Sequence, residues 1–268
     1  MLCDLHVHLA DEPKYADALA ETARNMGLDR LCIGGGDARY GLASNEQALR
    51  CAQGYPNLFV PFAWLRLGTD RPHQVEALCR LGFKGLRIAE ATAPYDAPEF
   101  FPAYEAACAL GMPILFHTGL LPVTPLDRAF DVRCERMRPI HLDTVARQFP
   151  GLKIVGSGLG RPWYEEAAEM LRRHENVFFD LSGHVLRQRG AAFFRSLLSA
   201  EGGSVLGQPD SRSAWSKIVF GTGVPHEEIP SVERDYQRLF RALTLPEAVT
   251  TDIMGGTAAR LLGLAARA

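Results

Sequence analysis

The chain has 268 residues, 47% of them hydrophobic, with 29 basic against 31 acidic residues and a formal net charge of −2. This length and apolar content suit one domain with a sizeable core, and the near-neutral balance argues against nucleic acid or an anionic membrane as partner, leaving small-molecule chemistry. No apolar run approaches the ~18 residues of a membrane span and the start lacks a signal-type segment, so a soluble, cytoplasmic protein is expected, with a homo-oligomer left open.

The first predicted element is a strand over residues 2–9. His6 and His8 lie two apart, so on a strand they point to one face and can grip a single metal ion. The same alternation puts Asp4 on that face, to orient a ligand or sit just behind it. The alternative is a buried histidine pair satisfied by polar neighbours. Helical periodicity follows, with Tyr15, Leu19 and Met26 on one stripe and Pro13 suited to an early helix position. Further strands are expected at 30–34, 58–65, 84–89, 113–117, 153–155, 177–181 and 217–221, with helices between them such as 142–149 and 163–173. Eight strands, each followed by a helix, read as a single α/β domain over residues 1–268, a (β/α)8 TIM barrel.

Residues 118–139 form a long connection after strand five, rich in proline and arginine. It leaves the C-terminal end of a strand, the face on which barrel active sites lie, and reads as a partial lid. Residues 200–216 precede the last strand on the opposite rim and read as structural. Six cysteines without CxxC spacing read as reduced, mostly buried small hydrophobes.

In a parallel barrel the strand ends converge on one pocket. Those ends carry His6 and His8 from strand one, Trp64 and Arg66 from strand three, Arg87 from strand four and His117 from strand five. Strand six offers Ser157 and Gly158, strand seven Asp180 and His184, and strand eight Thr222 and Gly223. His6, His8 and His117 make a three-imidazole set, the protein ligand count of several catalytic zinc sites, with positions left open for water or substrate. Arg87 and Arg66 can clamp a substrate carboxylate through paired N–H donors or serve as structural ion pairs, and Trp64 lies beside them. Lys84 starts its strand at the wrong end for such chemistry. His73 and His174 read as solvated surface residues, and His141 is ambiguous.

Several of these motifs together resemble a known family. They are Asp4-x-His6-x-His8, the strand over 82–87 ending on Arg87, the Pro113 strand ending His117-Thr118-Gly119, residues 149–155, Gly221-Thr222-x-x-Pro225-His226 and the closing segment 253–261. The chain is similar to the amidohydrolase superfamily, nearest to its amidohydrolase-related branch akin to aminocarboxymuconate-semialdehyde decarboxylase. The resemblance implies a mononuclear divalent metal, usually zinc, held by the two strand-one histidines, the strand-five histidine and an aspartate at the end of strand eight. It also implies a histidine at the end of strand six that helps to activate water. His6, His8 and His117 match this pattern, and His226 is expected behind the ligands.

Two positions depart from it: Gly158 stands where the family has that histidine, and Gly223 where it has the aspartate. Glycine neither binds a metal through a side chain nor moves a proton, and a general acid or base is typically worth ~10²–10⁴-fold. Asp180 and His184 are candidates to replace the missing groups. The glycines are explained by a natural non-hydrolytic member, a natural pseudoenzyme, or an engineered variant with two side chains cut away; their isolation within otherwise matching motifs points to the last. The implied function is metal-dependent hydrolysis of a small organic acid, ester, lactone or amide. The alternatives are metal-dependent non-oxidative decarboxylation and a non-catalytic binding protein on the same barrel.

Overall fold

Eight short strands, rich in Val, Ile, Leu and Phe, pair in parallel and in chain order: β1 (Cys3–His8), β2 (Arg30–Gly34), β3 (Phe59–Leu65), β4 (Gly85–Ile88), β5 (Ile114–Phe116), β6 (Ile154–Gly156), β7 (Val177–Asp180) and β8 (Ile218–Val219). The structure, a computed structural model, describes residues 1–199 and 214–264. The seam is joined by a backbone bond from Leu5 N to Phe220 O at 2.9 Å, so the sheet is a nearly closed barrel. Helices fill the crossovers: α1 (Tyr15–Met26), α2 (Asn45–Gly54), α3 (Gln74–Leu81), α4 (Phe101–Ala109), α5 (Leu142–Gln148), α6 (Tyr164–Arg173), α7 (Val185–Gln188), α8 (Ala191–Leu198) and α9 (Ile229–Leu243), followed by α10 (Glu247–Thr251) and α11 (Thr257–Leu262). This is the expected (β/α)8 barrel. Helix α1 begins after Lys14, whose φ is 63°, so Pro13 lies ahead of the helix rather than in its first turn. Of the segment 200–216, residues 200–213 lie outside the described residues. No helix among the described residues is long and apolar enough to cross a membrane.

The core has two layers, set by the period of two along each strand. Leu31, Ile33, Leu86, Ile88, Ile114 and Phe116 face outward under the helices. Cys32, Val60, Phe62, Leu115, Val155 and Val219 fill the barrel interior, where Ala258 and Leu261 of α11 join them. Strand β1 breaks the alternation. Cys3 and Leu5 pack in the inner cluster, whereas Val7 and Leu9 pack in the outer one, and the pairing of β1 with β2 shifts register between Asp4 and Val7. The irregularity reverses the facing of the strand, so that His6 and His8 turn into the barrel above Leu5. Bulges beside active sites commonly re-aim side chains in this way.

Candidate active site

The strand ends bring His6, His8, Arg87 and Asp180 into one hydrogen-bonded chain. His6 Nδ1 lies 2.8 Å from Asp180 Oδ2, His6 Nε2 lies 3.0 Å from His8 Nε2, and Arg87 Nη2 lies 2.9 Å from His8 Nε2. Relative exposures of 5% for His6, 7% for Arg87 and 0% for Asp180 keep these groups out of bulk water. Gly34 makes room for the arginine: a Cβ there would meet Arg87 Cδ at 3.3 Å.

Donor and acceptor chemistry fixes much of the protonation pattern. A guanidinium only donates, so His8 Nε2 is the acceptor and its lone pair points inward. The Asp180 carboxylate accepts, so His6 carries its proton on Nδ1. His6 Nε2 therefore faces another lone pair at 3.0 Å, an arrangement that needs a cation or a second proton between the rings. Asp180 is held in place by Gly158 N at 2.6 Å and Ser182 N at 2.9 Å, both donating to Oδ1.

His117 follows β5 and is fixed through its backbone, with N donating to Ile88 O at 2.8 Å and O accepting from the Tyr95 hydroxyl at 2.7 Å. Its Nε2 is buried with no hydrogen-bond partner among the described residues. Burial, reinforced by the charge on Arg87 and by His6, lowers its pKa to about 4. Burial, with Arg87 next, also holds His8 well below the ordinary histidine value. Both rings are thus neutral and ligand-competent at pH 7. Asp4 does not touch the rings: its carboxylate accepts from His6 N at 3.0 Å, Thr222 N at 3.1 Å and Thr222 Oγ1 at 2.7 Å. Burial raises it to about 7. The carboxylate behind a ring is Asp180, which the sequence offered only as one of two replacements.

The two glycines have a backbone of their own. Both have φ of +58°, in the left-handed region that favours glycine. A Cβ at Gly223 would lie 3.0 Å from Ser182 Cβ and 3.2 Å from His6 Cε1, so Ser182 crowds the place of a side chain there. At Gly158 the nearest atoms to such a Cβ are Ser182 O at 3.7 Å and Ser182 Oγ at 3.8 Å. The left-handed backbone at both positions and the closeness of Ser182 at Gly223 suit glycine, whereas Gly158 keeps room for a Cβ. Ser182 itself stands two residues beyond Asp180 in the strand alternation, a signal the sequence carried.

Of the other candidates, Arg66 is paired with Asp70 at 2.6 Å and, with Trp64, lines a cleft of about 680 Å³ together with Asn45, Leu78 and Leu81. His184 is exposed. His226 packs edge-on against Tyr15, with centroids 5.0 Å apart. His174 is buried and bonded to Asp143 at 2.8 Å rather than solvated, and His141 pairs with Asp96 at 3.1 Å.

No three His, Cys, Asp or Glu side chains among the described residues are gathered as a ready coordination shell. The donor chemistry nevertheless fits a divalent ion: two inward lone pairs close enough to share one ion, a third imidazole nitrogen buried without a partner, and a carboxylate bracing His6 from behind, the usual support of a metal-bound histidine.

The family model for amidohydrolases matches residues 3–264. The chain belongs to that family. Amidohydrolases of this family are mostly metal-dependent enzymes, hydrolases and decarboxylases. Among solved structures, an uncharacterised TIM-barrel protein from Bordetella bronchiseptica is similar with a TM-score of 0.71 at 20% identity, over 99% of both chains. A dihydroxybenzoic acid decarboxylase from Polaromonas with bound manganese and the inhibitor 2-nitroresorcinol gives 0.63 at 17% identity, over 98% of this chain and 97% of that one. A probable 2-pyrone-4,6-dicarboxylic acid hydrolase from Acinetobacter baumannii with bound citric acid gives 0.61 at 14%, over 98% and 99%. At these identities the likeness shows the shared barrel. No curated protein matches the chain.

Proposed function

We propose that this amidohydrolase, a single domain over residues 1–268, is a divalent-metal-dependent enzyme that acts on a small organic acid and uses water to cleave an ester, lactone or amide bond. The observation that carries this reading is the facing pair of lone pairs on His6 Nε2 and His8 Nε2 at 3.0 Å, braced by Asp180. His6, His8 and His117 would hold the ion, zinc being the usual choice for an all-imidazole set, and the ion would supply Lewis acidity toward a carbonyl group and toward water. Asp180 keeps the His6 proton on Nδ1 and fixes the ring. Arg87 offers a buried guanidinium whose fork matches a substrate carboxylate. The Ser182 hydroxyl lies beside Gly223, where it can donate to a substrate oxygen.

Decarboxylation is the second reading, and one observation favours it. Hydrolysis needs a group to take the proton of water, and the two positions that would do so are Gly158 and Gly223, while both oxygens of Asp180 are engaged. Loss of carbon dioxide from a bound acid breaks a carbon–carbon bond without that step, and the carbon left behind takes one proton from solvent. Of the neighbours named above, one is a decarboxylase and one a probable hydrolase of organic acids, which supports the substrate class rather than the reaction.

Protein purified without chelator should carry about one divalent ion per chain, as a three-histidine site predicts, and His117→Ala should lose most of it by elemental analysis. Incubation with 2-pyrone-4,6-dicarboxylate and with dihydroxybenzoate then separates ring opening from carbon dioxide release. Unchanged metal content in His117→Ala would refute the ligand assignment, and inertness toward both acids would refute the substrate class.

A further inference from the structure

Arg87 and a metal ion compete for one lone pair. Its Nη2 donates to His8 Nε2 at 2.9 Å, and its Nη1 has only a long contact to Gly35 O at 3.3 Å. An ion on His8 must displace Nη2 and leave a buried N–H donor unmatched, which is costly in a site shielded from water. It must also sit beside a guanidinium that stays charged at any ordinary pH.

The surroundings do not offset that repulsion. The three imidazoles are neutral ligands, and glycine stands at both 158 and 223. The nearby carboxylates are already committed, Asp180 to His6, Gly158 N and Ser182 N, and Asp4 to His6 N and Thr222. A filled site would thus hold a dication and a guanidinium against at most the two charges of Asp180 and Asp4, both turned to other donors. A carboxylate answers both deficits, since it is an anion and its planar pair of oxygens matches the freed guanidinium fork. Bulk water answers only the second.

We propose that Arg87 couples the metal to a carboxylate ligand, so that the two bind cooperatively and each binds less tightly alone. The inference rests on the metal reading above and adds a dependence which that reading does not require. It also gives Arg87 two roles in turn, as a partner for His8 in the empty pocket and for the carboxylate in the filled one.

Zinc affinity, measured by competition with a chromophoric chelator in sodium benzoate and in sodium chloride of equal ionic strength, tests this without any turnover. Benzoate is a suitable probe because it grips aqueous zinc only weakly. The wild-type protein should bind zinc about tenfold tighter in benzoate, within the usual range for coupled sites, and zinc should tighten benzoate binding by the same factor, as linkage demands. Arg87→Met should bind zinc tighter than wild type in chloride and lose the benzoate response. Arg87→Lys keeps the charge and should keep part of the response, which decides the matter if the methionine variant does not fold. Wild-type zinc affinity indifferent to benzoate, or a full response in Arg87→Met, overturns the coupling while leaving the metal site intact. Failure of the wild type to bind zinc in either salt overturns the metal reading, and the coupling with it.

Discussion

At the scale of single residues, the two buried imidazoles make the site acid-sensitive. His8 and His117 have folded-state pKa values below the ordinary 6.5, so the unfolded chain binds protons that the native state refuses. Their contribution to stability is therefore fully present above pH 6.5 and is lost as the pH falls toward about 4, with a slope of up to ~1.4 kcal/mol per pH unit for each ring. Asp4, raised to about 7 by burial, takes up its proton in the native state over the same window and offsets about one ring, so urea unfolding of the metal-free protein between pH 7 and 4.5 should show the remaining slope, reduced by about one proton in His117→Gln; a slope unchanged by that substitution would mean the ring is solvated in the folded state. The placement of the three histidines and Arg87 at strand ends was legible because a strand end is a local signal. The pairing of His6 with Asp180 spans 174 residues and was not. Arg66 lies past the end of β3, where the chain has left the sheet, and its pairing with Asp70, four residues on, was not foreseen.

At the scale of elements, the connection after β5 is tied at its base and loose at its tip. Gly119 N bonds Met137 O at 3.1 Å and Leu120 N bonds Arg161 O at 3.0 Å, while Val123 is 93% exposed. One side chain bridges the tip to the barrel. Arg39, between β2 and α2, pairs with Asp37 and Glu90 and stacks on Phe130 with its guanidinium carbon 3.8 Å from the ring centroid. We expect residues 121–131 to act as a partial lid whose amides exchange faster than those of the strands, and faster again in Arg39→Ala, since a cation over an aromatic face is worth ~0.5–2 kcal/mol. Hydrogen-exchange mass spectrometry showing strand-like protection would make the segment a fixed wall. The eight strands were readable to within a few residues because parallel strands buried on both faces read as short apolar runs. The register shift in β1 was not, because Asp4, Leu5 and His6 fit unbroken alternation equally well. It is tertiary packing that sends Leu5 and Val7 to different layers.

At the scale of the whole molecule, the barrel is weakest where its first and last strands meet. β8 spans only two residues, and the seam relies on the backbone bonds Leu5 N to Phe220 O and Gly223 N to His6 O and on Asp4 gripping Thr222 through backbone and hydroxyl alike. Thr222→Val leaves a buried carboxyl oxygen without its donor and should cost ~1–3 kcal/mol, seen as a lower urea midpoint; a shift below ~0.5 kcal/mol, the size of an ordinary surface change, would show that the hydroxyl does not hold the seam. This same clasp joins residues 218 positions apart and sits directly against the strand that carries His6 and His8. During synthesis those histidines leave the ribosome well over a hundred residues before the partners that fix them, Asp180 and the 220–223 turn. An ion bound there as proposed would therefore be an end product of folding and not its nucleus, and a chain stalled before residue 220 would present an exposed pair of histidines open to any metal in reach.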